Sequence, residues 1–79
     1  MGMEKDLVEY IAKSLVDDPS RVEVGEFNDG RSAVIELRVA DGDLGKVIGK
    51  NGRIAKSIRT VLQAAASRTG RHAVLEILD

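Results

Sequence analysis

Seven residues, Val47 to Arg53, read VIGKNGR and carry the residue types best able to do chemistry in this 79-residue chain. Gly49 and Gly52 bracket Lys50 and Asn51. A helix–turn–helix connection normally ends its first helix with one left-handed residue, so one glycine is enough. A pair suits a ligand that comes within contact distance of the main chain. Free N–H groups and the positive dipole end at the start of the next helix make that ligand anionic, with phosphate the usual occupant. Lys50 adds a full charge at the tip, and Lys46 stands one turn before it.

Two amphipathic segments position this stretch. Leu44, Val47 and Ile48 recur on one side of a short helix, and Ile54, Ala55, Ile58, Val61, Leu62 and Ala65 continue the helical period for about four turns after it. Arg53, Lys56 and Arg59 fall three apart and form one stripe away from the apolar seam. Taken alone, such a stripe is a solvated helix face. The charge distribution along the chain gives it more weight. Formal net charge is -1, yet residues 1–43 hold eleven acids against five bases, whereas residues 44–79 hold seven bases against Glu76 and Asp79. From Leu44 through Leu75 there is no acidic residue, and this is the stretch that holds the glycine pair. One face of a nearly neutral protein is thus built to meet a polyanion.

The remaining elements follow from pattern. Leu7, Val8, Ile11, Ala12 and Leu15 mark an amphipathic helix from Met3 to Val16, with Glu4 and Asp6 in its first turn and Asp17, Asp18 and Pro19 ending it. Tyr10 lies at the border of the apolar face and is expected to be a partly buried packing residue. Arg21 to Phe27 begins as an alternating strand, and Gly25 is expected to break the phase so that Phe27 rejoins the core through a bulge. Asn28, Asp29 and Gly30 make a hairpin turn, and Ser32 to Val39 alternates with Ala33, Ile35, Leu37 and Val39 inward. An aspartate of Asp41-Gly42-Asp43 is placed to cap the short helix. Gly70 is expected as a left-handed helix end before a last strand from His72 to Leu78. The order is α-β-β-α-α-β. A right-handed return through two helices lays the last strand parallel to one of the first two, giving an α+β domain with three helices on one face of a mixed three-stranded sheet.

Composition narrows the function. There is no cysteine for disulfides or thiolate metal sites, and the lone His72 has no carboxylates spaced to complete a zinc site. No metal or other cofactor is expected. Charged residues recur through the first fifteen positions, which argues against a signal or membrane-spanning segment and for a soluble, cytoplasmic protein. The glycine stretch is not a nucleotide-binding P-loop, because Leu44 stands where that pattern needs glycine and Asn51 where it needs Ser or Thr. Ser14, Ser32, Ser57 and Ser67 lack a nucleophile-elbow context, so catalysis is not expected.

VIGKNGR between two amphipathic helices resembles the I-G-x-x-G core of the KH domain, a module that binds single-stranded RNA and DNA. The element order matches the bacterial, type II form of that fold, and the resemblance spans nearly the whole of residues 1–79, one KH domain. It implies that Gly49 and Gly52 admit the sugar-phosphate backbone of about four nucleotides while Lys50 and Asn51 contact phosphate. Leu44, Val47, Ile48 and Ile54 would line a base groove with the edge of the strand ending at Val39. Arg53, Lys56, Arg59 and Lys46 would extend the electrostatic track, with Arg31 as a further contact. Stacking folds need several exposed aromatics, and this chain has only Tyr10 and Phe27, in keeping with an aliphatic groove.

In length the chain is similar to the small standalone bacterial KH proteins of the KhpA (YlqC) family. That resemblance implies a cytoplasmic RNA-binding protein, an RNA chaperone or post-transcriptional regulator, linked to cell elongation and division. It also implies a homodimer, or a pairing with a larger protein that joins a KH domain to a second nucleic-acid-binding domain. The alternative is a dimerising adaptor in which the fold serves as a protein interaction surface with vestigial nucleic-acid binding. Single-stranded DNA remains open as a ligand beside RNA.

Overall fold

The computed structural model describes residues 3–30 and 32–78, so Arg31 lies outside the described residues. The chain forms α1 (Met3–Leu15), β1 (Glu23–Asp29), β2 (Ser32–Arg38), α2 (Leu44–Ile48), α3 (Arg53–Ser67) and β3 (His72–Leu78), with short 3-10 turns at Pro19–Arg21, Asp41–Asp43 and Lys50–Gly52. The sheet order is β1-β2-β3, with β1 antiparallel and β3 parallel to the central β2. The expected element order and mixed sheet are both present.

Strict alternation makes β2 the spine of the core. Ala33, Ile35 and Leu37 are fully buried, and Ala73 and Leu75 of β3 lie beside Ala33 and Ile35 on the same face. Val8 and Ala12 of α1, Val47 of α2, and Ile58, Leu62 and Ala66 of α3 close over them. Burying each larger aliphatic side chain stabilises the fold by about 1.5–3 kcal/mol before conformational entropy is counted. Among the described residues the helices all take the inner face and leave the outer face of the sheet uncovered.

β1 departs from the expected pattern at both ends. Its start moves from Arg21 to Glu23 because Pro19 sets up a 3-10 turn, in which Val22 N–H donates to the Pro19 carbonyl at 3.2 Å. Nor does Gly25 make a bulge: the register with β2 runs unbroken from Glu23↔Arg38 to Asp29↔Ser32. Without an extra residue the alternation cannot change phase, so Phe27 faces out opposite Val34 and is 59% exposed. The inward neighbour is Glu26, whose carboxylate lies 3.8 Å from Arg71 Nη2. The same guanidinium donates to Asn28 Oδ1 at 2.5 Å and holds its Nε 3.5 Å from the buried Glu4 carboxylate, joining α1, β1 and the start of β3. Tyr10, in turn, is 73% exposed and does not pack.

Gly70 ends α3 as expected. At φ 73° it lets Arg71 N–H reach the Ala66 carbonyl at 3.0 Å and its own N–H reach Ser67 at 3.1 Å, the paired bonds of a Schellman end.

Candidate nucleic-acid interface

The loop between α2 and α3 is a tight bend with positive φ at three of its four positions: Gly49 at φ 78°, Asn51 at φ 57° and Gly52 at φ 72°. Asparagine is among the residues that tolerate left-handed backbone best. Gly49 N–H donates back to the Gly45 carbonyl at 2.8 Å, closing α2, and Gly52 N–H donates to the Gly49 carbonyl at 3.1 Å. The next internal donor is Arg53 N–H, to the Lys50 carbonyl. Lys50 and Asn51 N–H stand ahead of these bonds on the exposed tip.

The two glycines serve different ends. A Cβ at Gly49 would lie 2.6–2.9 Å from three side-chain carbons of Ile54, so this position is bare because Ile54 packs against it. At Gly52 a Cβ would meet nothing within 4 Å, so that glycine is there for its left-handed backbone and leaves the main chain open to approach. Of the two positions expected to admit a ligand, Gly49 is thus packed from within by Ile54 and Gly52 is open.

Lys50, Arg53, Lys56 and Arg59 are exposed and run from the loop along α3. Among the described residues none of the four has a carboxylate within ion-pair distance. Lys46 differs: its Nζ lies 3.4 Å from Asp17 Oδ2, so part of its charge is already met.

The proposed aliphatic wall requires two corrections. Val47 is fully buried in the core and has no surface to offer a ligand, because it is the side chain that the short α2 turns most deeply inward. β2 is the central strand, hydrogen-bonded on both sides, so it offers no edge to a groove. Leu44, Ile48 and Ile54 are half-buried and pack against the core. The apolar trough that opens beside the loop, ≈ 340 Å³, lies instead between α1 and α3, where Ile11 and Leu15 face Ile54, Ile58 and Val61, with Arg53 and Ser57 at its rim. The signal for it was the breadth of the apolar stripes on α1 and α3, wider than one sheet needs.

Asp43 does not cap α2 with its side chain. Its buried carboxylate accepts from the N–H groups of Asp17 at 3.2 Å and Asp18 at 3.0 Å, stapling the end of α1 to the start of α2 and so fixing where the loop stands.

A two-layer α-β-β-α-α-β domain whose last two helices are joined by G-K-N-G defines the class: a type II KH domain. A family model, "KhpA/KhpB, KH domain", matches residues 5–77, and the chain belongs to that family. Similar proteins include RNA-binding protein KhpA of Clostridium acetobutylicum, 55% identical over 74 residues, covering 94% of this chain and 99% of that protein. KhpA of Aquifex aeolicus is 51% identical over the full length of both chains. Among solved structures, Era in complex with MgGDPNP and nucleotides 1506-1542 of 16S ribosomal RNA superimposes with a TM-score of 0.66 at 22% identity, over 94% of this chain and 28% of that one. That likeness shows the fold alone. Among the described residues no helix is long and apolar enough to cross a membrane, and no cluster of His, Asp or Glu is arranged to hold a metal ion.

Proposed function

We propose that this protein binds single-stranded RNA, gripping the sugar-phosphate backbone at Gly49-Lys50-Asn51-Gly52 and extending the contact along Arg53, Lys56 and Arg59. The observation that carries this reading is the loop itself: an open, left-handed Gly52 beside a lysine and three further cations with no acidic partner among the described residues. Relatives named RNA-binding protein KhpA support RNA over single-stranded DNA. Leu44, Ile48 and Ile54 supply an aliphatic flank for bases, and the trough beside Arg53 widens it. On this reading the chain acts as one KH unit in the cytoplasm, in post-transcriptional regulation or as an RNA chaperone affecting cell elongation and division.

The test is binding of a fluorescent single-stranded RNA pool at two salt concentrations, by the wild type and by a folded Lys50→Asp/Asn51→Asp variant. Salt-dependent binding that the variant loses supports the clamp; equal weak binding by both overturns it.

A second feature favours pairing with another protein, as a homodimer or with a larger KH-domain protein. Met3, Leu15 and Val61 on the helical side are 49%, 38% and 47% exposed, an apolar cost that a partner surface would remove. One clamp on about four nucleotides also gains affinity when a second is linked to it. A dimer that binds no RNA would make the adaptor role primary.

A further inference from the structure

We propose that Asn51 is a site of spontaneous covalent modification, and that its conversion to an acid switches the loop off. This rests on the reading of the loop as a phosphate clamp. The chain has two asparagines, Asn28 and Asn51, and only Asn51 is followed by glycine. Asn51 is exposed, in left-handed backbone, and beyond its two chain neighbours nothing lies within 4 Å of where a side chain on Gly52 would begin. The Gly52 nitrogen is therefore the least hindered main-chain nucleophile that an asparagine can have after it. Asparagine is already among the thermolabile residues.

The chemistry needs only water. The Gly52 nitrogen, giving up its proton, attacks Asn51 Cγ; the N–C bond closes a five-membered succinimide, the Cγ–Nδ2 bond breaks, and ammonia leaves with that proton. Water then opens the ring at either carbonyl, its hydroxyl going to carbon and its proton back to nitrogen. The products are aspartate or isoaspartate at position 51. No electrons are gained or lost overall.

The closed loop holds this reaction back. Gly52 N–H is engaged by the Gly49 carbonyl at 3.1 Å, and ψ of 26° at Asn51 turns that nitrogen almost opposite its own side chain. Cyclisation must run through an opened loop, in which this bond is broken and ψ has swung round. A phosphate backbone lying on the tip holds the loop closed, so bound RNA protects Asn51 and an idle protein ages. Asn28 is the internal control. It lies in β1, is followed by Asp29, and has its side-chain oxygen held by Arg71.

Conversion places a negative charge between Lys50 and Arg53, in the acid-free stretch from Leu44 to Leu75. Charge-adding modifications act through just such local repulsion. A unit charge within about 4 Å of a phosphate lowers RNA affinity about fivefold even in water.

The experiment ages the purified full chain at neutral pH, with and without a mixed-sequence single-stranded RNA pool, and follows amide-to-acid conversion and isoaspartate at each asparagine by peptide mass spectrometry. Aged protein is compared with fresh protein and with an Asn51→Asp variant for RNA affinity, and thermal melts establish that all three are folded. The expected result is conversion at Asn51 several-fold ahead of Asn28, slowed by RNA, with affinity about fivefold lower after conversion. Conversion at Asn51 no faster than at Asn28 overturns the site. Conversion that leaves RNA affinity unchanged overturns the switch. If fresh protein fails to bind RNA at all, the clamp reading and the switch fall together, while the mass readout still decides the site.

Discussion

Gly49 and Gly52 share a positive φ, at 78° and 72°, but they should not respond alike to the same substitution. Gly52→Ala adds a methyl group to open space and bears only the left-handed backbone strain, about 1–2 kcal/mol. Gly49→Ala, at φ 78° and ψ 172° in a region that essentially only glycine adopts, bears its own backbone strain and also drives Cβ into Ile54, where overpacking adds about 1–3 kcal/mol. Urea melts should therefore place Gly49→Ala lower in stability than Gly52→Ala. Combining Gly49→Ala with Ile54→Ala, which removes the Cγ1 and Cδ1 contacts, should cost at least about 0.5 kcal/mol less than the two single losses added if the contact is the cause. In the sequence both glycines appeared as the same kind of ligand-facing residue. Which bare position faces inward depends on where Ile54 points, and that is set by α3 packing on the sheet rather than by the spacing within G-K-N-G.

Among the elements, those with a strong period were legible and those fixed by one long-range contact were not. β2 alternates over its whole length and α3 keeps its apolar seam, so burial of Ile35, Leu37, Ile58 and Leu62 could be read directly. β1 has Gly25 at its middle and an acid, Glu26, inside; only Arg71, forty-five positions away in sequence, makes that inward acid tolerable. The role of Asp43 was hidden for the same reason. Local logic makes it a helix cap, whereas its partners are the N–H groups of Asp17 and Asp18. Asp43→Ala leaves both donors without that acceptor and should cost about 2–4 kcal/mol, with Asp43→Asn, which keeps one acceptor, losing less. Denaturant midpoints of the two variants check this. The edge of the α3 seam offers a sharper contrast. Leu62→Ala, at a fully buried position, should cost about 2–5 kcal/mol, and Val61→Ala, one residue earlier and 47% exposed, under about 1 kcal/mol. Equal losses would mean that Val61 is covered in solution.

Over the whole molecule, the fold turns a sequence asymmetry into a spatial one. The acid-rich first half supplies α1, β1 and β2; the acid-free stretch supplies α2, the loop and all of α3. The exposed cations of Lys50, Arg53, Lys56 and Arg59 thus share one side, while Glu23, Asp29 and Glu36 occupy positions on the outward pleat of the sheet behind them. A protein near neutrality overall can then bind a polyanion through a local field, and the salt dependence of binding should report that field rather than the net charge. Each phosphate neutralised on a single strand contributes about 0.7 to the slope of log affinity against log salt. Lys56→Glu with Arg59→Glu should therefore flatten the slope by about 1.4 if both residues lie on the RNA track. Arg38→Glu, on the outer face of β2 opposite Glu23, changes net charge in the same direction and should leave the slope unaltered. All three side chains are exposed, so stability should move by no more than about 0.5 kcal/mol per substitution and melts can separate lost binding from lost folding. An equal fall in slope for Arg38→Glu would make net charge the controlling quantity and remove the α3 stripe from the interface.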